Sequence, residues 1–221
     1  MYMIYRNKFI IRCFIDAPNP SKIERNYFLS RKYQIETMIF FGKDIINKII
    51  DTSEIEELTE KVEEFKNDVD MIFTYFSYPK IDIKYVQNLL KYETNQTAFY
   101  CMDAEFDVRS CPSCMIYSKQ NKKRSDTIYY YIMMICTQRR FKNLGYASML
   151  LDGFIEQIRQ ETKSETKSVK IVLSSVDEVV SYYQRYGFEA VDYTLEAHPY
   201  LMKFEKCDPD KLYTVMELKL R

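Results

Sequence analysis

One stretch constrains this chain more than any other. The unbroken apolar run Tyr129-Tyr130-Tyr131-Ile132-Met133-Met134-Ile135-Cys136 passes directly into the polar, basic segment Thr137-Gln138-Arg139-Arg140-Phe141-Lys142-Asn143-Leu144-Gly145-Tyr146-Ala147. The first part, rich in aromatic and branched side chains, reads as a buried strand. Beyond it, Ala147, Leu150, Leu151, Phe154, Ile155 and Ile158 fall on one face of a helix running from about Gly145 to Thr162. A strand that feeds a basic turn opening a helix presents unpaired backbone N–H groups and the positive end of the helix dipole. That arrangement suits a pyrophosphate. The chain has only four glycines, Gly42, Gly145, Gly153 and Gly187, and Gly145 stands where a backbone must approach phosphate oxygens closely. Small Ala147 leaves room, Ser148 adds a hydroxyl donor, and Arg139, Arg140 and Lys142 add positive charge.

Further strands are expected near Lys8–Phe14, Thr97–Met102, Met115–Ser118, Thr127–Cys136, Ser168–Ser174 and Leu212–Leu220, with another after Phe188. Helices are expected near Gln34–Ile50, Ser53–Phe76, Ile83–Lys91, Gly145–Thr162 and Val176–Tyr186. Ile55, Leu58, Val62, Phe65 and Val69 form the apolar face of the second helix, opposite Glu54, Glu56, Glu57, Glu60, Glu63 and Glu64. Ser53 with Glu56, and Ser175 with Glu178, have the spacing of capping boxes. The acidic face is read as solvated, with an acidic rim for a cationic substrate as the sharper alternative.

A chain of 221 residues with 47% hydrophobic and 29% charged residues folds by itself, as one mixed α/β domain over 1–221. Its 32 basic and 32 acidic residues cancel, so no global field favours nucleic acid or an anionic membrane. The first fifteen residues are interrupted by Arg6, Lys8 and Arg12, unlike a signal peptide or spanning helix, and a cytoplasmic protein is expected. The basic run Lys119–Arg124 reads as a solvated hairpin tip, with contact to a phosphate or a nuclear import receptor as alternatives. Six dispersed cysteines read as reduced thiols. Cys111 and Cys114 have zinc-knuckle spacing, but the only histidine is His198 and a structural zinc takes four ligands, so no metal is expected.

The run Lys142-Asn143-Leu144-Gly145-Tyr146-Ala147 resembles the acetyl-CoA motif of the GNAT N-acetyltransferase superfamily, with lysine where that motif carries glutamine or arginine. About forty residues on, Tyr183-Gln184-Arg185-Tyr186-Gly187-Phe188 resembles the family's second signature, a tyrosine, three residues and Gly-Phe. The resemblance implies a GNAT fold: a mixed, mostly antiparallel sheet of six to seven strands flanked by helices. It also implies a coenzyme-binding core over 127–191 and a helical substrate-side insertion, 16–96, between the first and second strands. The cosubstrate implied is acetyl-CoA, bound by the main chain of Ile135, Cys136 and Thr137 and by Lys142, Asn143, Leu144, Gly145, Tyr146, Ala147 and Ser148.

By the same resemblance Tyr183 is the acid that protonates the departing thiolate, with Tyr182 as its substitute. A purely structural Tyr183 is the alternative, since Val176, Val179 and Val180 share its helical face. No acid occurs between Thr127 and Cys136, leaving Asp126, Asp103, Glu105 or a water chain as the base. Cys136 is weighed as a nucleophile and set aside because no histidine is near it in sequence. The acceptor implied is an amine, either a protein lysine or N-terminus or a polyamine-like small molecule, and a homodimer is compatible with the fold. A coenzyme-binding module without catalysis is the rival reading, and a zinc-stabilised binding protein a weaker one.

Overall fold

A computed structural model describes residues 38–77, 83–102, 110–192, 198–204 and 213–221. In chain order these form β1 (Met38–Phe41), α1 (Gly42–Thr52), α2 (Ile55–Ser77), α3 (Ile83–Leu90), β2 (Asn95–Cys101), β3 (Ser113–Gln120) and β4 (Thr127–Thr137). They continue with α4 (Tyr146–Glu161), β5 (Ser168–Val176), α5 (Val180–Gln184), β6 (Glu189–Asp192), α6 (Pro199–Phe204) and β7 (Tyr213–Lys219). Seven strands make one open sheet in the order β1-β2-β3-β4-β5-β7-β6, antiparallel throughout except for the parallel pair β4–β5. This is the mixed, mostly antiparallel sheet of six to seven strands flanked by helices that the resemblance implied.

Helix α4 closes one face of the sheet. Its apolar stripe, Ala147, Leu150, Leu151, Phe154, Ile155 and Ile158, is buried against Ile128, Tyr130 and Ile132 of β4 and Val169, Ile171 and Leu173 of β5. Phe154 sits at the centre, its ring 4.7 Å from that of Tyr117 and 6.3 Å from that of Tyr130. Truncating a buried aromatic loses its transfer energy and leaves a cavity. Phe154→Ala is therefore expected to cost about 3–5 kcal/mol, read as a lowered denaturant midpoint with an unchanged slope. The opposite face carries a second core, in which Phe65, Val69, Ile72 and Phe73 of α2 and Val86 and Leu89 of α3 cover Phe99, Cys114, Ile116, Met134 and Cys136.

Three expectations change. The helix expected over Gln34–Ile50 is, within the described residues, a strand followed by a helix, because Met38-Ile39-Phe40-Phe41 pairs with β2 in register Met38↔Cys101 to Phe41↔Ala98. A short apolar run next to a helical pattern carries no periodicity that separates the two. The capping box at Ser53 does not form: Ser53 ends α1, its N–H donating to the Ile49 carbonyl at 3.0 Å, while its hydroxyl is buried without a partner. The Glu54 carbonyl instead receives the N–H groups of Glu57 and Leu58, and Ile55 is 90% exposed rather than part of the apolar face. Ser175 lies inside β5 and donates to the Val176 carbonyl at 3.0 Å, so it caps nothing either. The strand expected near Lys8–Phe14 lies outside the described residues, and α6 was not foreseen.

Candidate coenzyme and catalytic site

The parallel pairing of β4 and β5 runs only from Thr127↔Ser168 to Ile132↔Leu173. Past that point β4 continues beside β3, with Cys114↔Cys136 and Ser113↔Thr137, and β5 continues beside β7, with Ser174↔Val215 and Val176↔Tyr213. The two strands part and leave a gap between them. The parting coincides with a bulge, since register jumps from Tyr117↔Ile132 to Ile116↔Met134 and leaves Met133 as an extra residue on β4. An inserted residue bends a strand and increases its twist, which turns the end of β4 away from β5.

The direction of the backbone groups along the gap follows from antiparallel alternation. Gln138 donates its N–H to the Pro112 carbonyl at 2.9 Å, which marks a hydrogen-bonded position, so two residues earlier Cys136 also faces β3. The Cys136 carbonyl indeed accepts from the Ser113 hydroxyl at 2.8 Å. Ile135 and Thr137, which alternate with these positions, therefore turn their main-chain groups toward the gap, where β5 offers no pairing. Of the three residues expected to bind coenzyme by main chain, Ile135 and Thr137 face that way and Cys136 does not. Across the gap, Ser174, the first β5 residue beyond the last pair, has its hydroxyl buried without a hydrogen-bond partner.

The turn after β4 is held by Gln138 and Ser113, to which sequence reasoning gave no role. Buried Gln138 donates its side-chain amide to the Cys111 carbonyl at 2.8 Å and accepts from Arg140 Nε at 2.9 Å, while Ser113 and Thr137 share a hydrogen bond of 2.8 Å. A single 3-10 turn over Arg139–Phe141 follows, and the chain then takes left-handed conformations at Asn143, φ 61°, and Gly145, φ 87°. Gly145 is the N-cap of α4 and supplies no side chain to cap it. The N–H groups at the start of α4, on Tyr146, Ala147 and Ser148, thus open onto the turn with the positive end of the dipole behind them. Arg139 and Arg140 are exposed beside it, and Tyr146 packs its ring 5.5 Å from those of both Tyr100 and Phe141. Lys142, Asn143 and Leu144 complete the turn.

Ser148 departs from expectation in orientation. Its hydroxyl is buried and lies 3.1 Å from the Tyr182 hydroxyl. Tyr183, the other tyrosine of α5, is buried with its ring edge-on to Tyr182 at 5.2 Å and to Phe188 at 5.6 Å. Among the described residues its hydroxyl has no hydrogen-bond partner. Burial pushes the Tyr183 phenol well above the usual tyrosine range, and the Cys136 thiol adds to the shift. The phenol therefore lies within electrostatic reach of Cys136 on β4 and keeps its proton at any physiological pH, so it can donate to a developing anion and cannot act as a base.

The acids considered as a base do not gather there. Asp126 precedes Thr127 at the opposite end of β4 from the gap, seven residues before Met133, or about 23 Å along an extended strand. Asp103 and Glu105 lie outside the described residues. Cys101, Cys111, Cys114 and Cys136 are buried, and among the described residues no group of three or more His, Cys, Asp or Glu is placed to hold a metal ion. His198 lies 4.0 Å from Glu217 of β7. No described helix is long and apolar enough to cross a membrane.

Residues 115–200 match the family described as "Acetyltransferase (GNAT) domain". A sequence search of curated proteins finds no match. Among solved structures, GCN5 from Tetrahymena is 14% identical with a TM-score of 0.49, covering 72% of this chain and 88% of that one. Ard1 from Thermoplasma volcanium is 16% identical with a TM-score of 0.46, covering 71% and 93%. A chain of the NatC complex bound to Gag peptide and CoA is 13% identical with a TM-score of 0.47, covering 71% and 91%.

Proposed function

We propose, from the match of residues 115–200 to the GNAT acetyltransferase domain, that the chain is an acetyl-CoA-dependent N-acetyltransferase that acts on an amine. The observation that carries this reading is the gap between β4 and β5, which opens beside an uncapped helix N-terminus. The amide groups of Ile135 and Thr137 suit the two amides of a pantetheine arm, and the start of α4 suits the pyrophosphate. With the thioester at the mouth of the gap, the amine attacks the acetyl carbonyl, the C–S bond breaks, and the thiolate takes up the Tyr183 proton, which the phenol regains from water. The amine's own proton leaves through water, since β4 carries no acid from Thr127 to Thr137.

Within this reading the acceptor is a cationic amine, either a protein lysine or N-terminus or a polyamine-like molecule. Exposed Glu54, just before α2, and Glu56, Glu60 and Glu64 on it motivate that preference, whereas Glu57 and Glu63 are already paired at 2.7 Å with Lys61 and Lys66. Turnover of spermidine and of an acidic amine at equal rates would remove it.

The direct test is thermal unfolding with and without acetyl-CoA. A ligand at a hundred times its dissociation constant adds about 2.7 kcal/mol to the native state, so a clear rise in Tm is expected. No rise at millimolar acetyl-CoA would end the coenzyme reading. The absence of an acid on β4 favours the rival, a coenzyme-binding module without catalysis, and a raised Tm with no thiol release across a panel of amines would support it.

A further inference from the structure

The hydroxyl of Ser148 lies on the first turn of α4, beside the turn assigned to the pyrophosphate, yet it is buried against Tyr182 at 3.1 Å. Tyr186 packs against Tyr182 in the same cluster, and Asp152, one turn further along α4, is near enough to act on Tyr182 and Tyr186 electrostatically. The ring of Tyr182 packs 5.2 Å from that of Tyr183 on one side and 5.3 Å from that of Tyr186 on the other. Helix α5 has only five residues, entered through a 3-10 turn at Asp177–Val179 and left at a glycine with φ 88°. So short a helix has little rigidity of its own, since forming a first turn is unfavourable without outside contacts.

We propose that Tyr182 is a positioning residue, whose hydrogen bond to Ser148 fixes α5 to the first turn of α4 and so holds the Tyr183 phenol at the end of β4. The proposal rests on the acetyltransferase reading and extends it: Ser148 acts on the acid through Tyr182 rather than on the phosphates. The same turn that receives the coenzyme thereby sets where the proton donor stands. A displacement of the reacting groups by about 1 Å can cost about a hundredfold in rate. A lost anchor should therefore appear in kcat and not in coenzyme affinity.

The test compares wild type with Tyr182→Phe, which keeps the ring and removes only the hydroxyl, and with Ser148→Ala. The turnover-free readout is the ring NMR signal of Tyr183 in tyrosine-labelled protein, assigned by its loss in Tyr183→Phe. Addition of acetyl-CoA is expected to move that signal in wild type and to leave it broadened or displaced in both variants. Acetyl-CoA affinity should stay within about twofold of wild type, and the double variant should be no worse than either single one, as for two partners in one interaction. Where a panel of spermidine, a lysine-bearing peptide and a peptide with a free α-amine yields turnover, kcat should fall about tenfold or more in each variant with the acetyl-CoA KM unchanged. A Tyr183 signal that responds as in wild type in both variants overturns the positioning role alone. A signal that does not respond to acetyl-CoA even in wild type overturns the reading on which it stands. A weakened affinity in Ser148→Ala with Tyr182→Phe unaffected returns Ser148 to the phosphates and also overturns the proposal.

Discussion

Tyr183→Phe is expected to lower kcat by about 10²- to 10⁴-fold, the range attributed to a positioned general acid, while the dissociation constant of acetyl-CoA stays close to wild type. The ring remains to fill its place between Tyr182 and Phe188, so the core loses no volume. What is lost is one proton beside the departing sulfur. Because burial holds the phenol far above its ordinary range, its ionisation should put no alkaline limb on the wild-type profile below about pH 10, the value of a free tyrosine. A wild-type rate in Tyr183→Phe, measured by thiol release, would leave the tyrosine with a packing role only. An equal loss of coenzyme affinity and kcat would instead show that the substitution had damaged the binding gap.

Gly145→Glu is expected to weaken acetyl-CoA binding by at least about a hundredfold, or about 2.8 kcal/mol. Two effects act in the same direction. A side chain at φ 87° is strained by about 1–2 kcal/mol, and a carboxylate at the N-cap of α4 occupies the space and takes the favourable dipole interaction proposed for the pyrophosphate. Gly145→Asn separates the two, because asparagine tolerates the left-handed region, as Asn143 already does at φ 61°, and carries no charge. Titration calorimetry should find Gly145→Asn much closer to wild type. Undiminished affinity in Gly145→Glu would remove the pyrophosphate from this turn.

The elements most legible in sequence were those whose pattern is long and local. The apolar run ending at Cys136, the basic turn and the stripe Ala147–Ile158 each state their own geometry, and the structure has β4 and α4 at those positions. Gly145 could be read because a left-handed N-cap admits few other residues. What escaped depends on partners distant in the chain. Strand β1 exists because Met38–Phe41 finds β2, some sixty residues later, and nothing in its four residues distinguishes it from the helix it adjoins. The bulge at Met133 is a mismatch between two strands and leaves no mark on either. Ser53 and Ser175 had the spacing of capping boxes, yet spacing does not reveal which way a hydroxyl turns. Gln138 stood in plain view in the basic turn, but its role comes from carbonyls at Cys111 and Pro112 that only the fold brings near.

The parting of β4 from β5 has a consequence for solubility. From Met133 to Thr137, β4 is an edge strand that lies in the interior of its own sheet, with alternate amide groups presented to a slot rather than to a neighbour. An ordinary sheet shields such edges at its rim by charge, proline or covering loops, and none of Met133, Met134, Ile135, Cys136 and Thr137 is charged or a proline. This stretch is thus open to β-augmentation, and in the proposed reading a bound pantetheine arm would occupy the same amide groups.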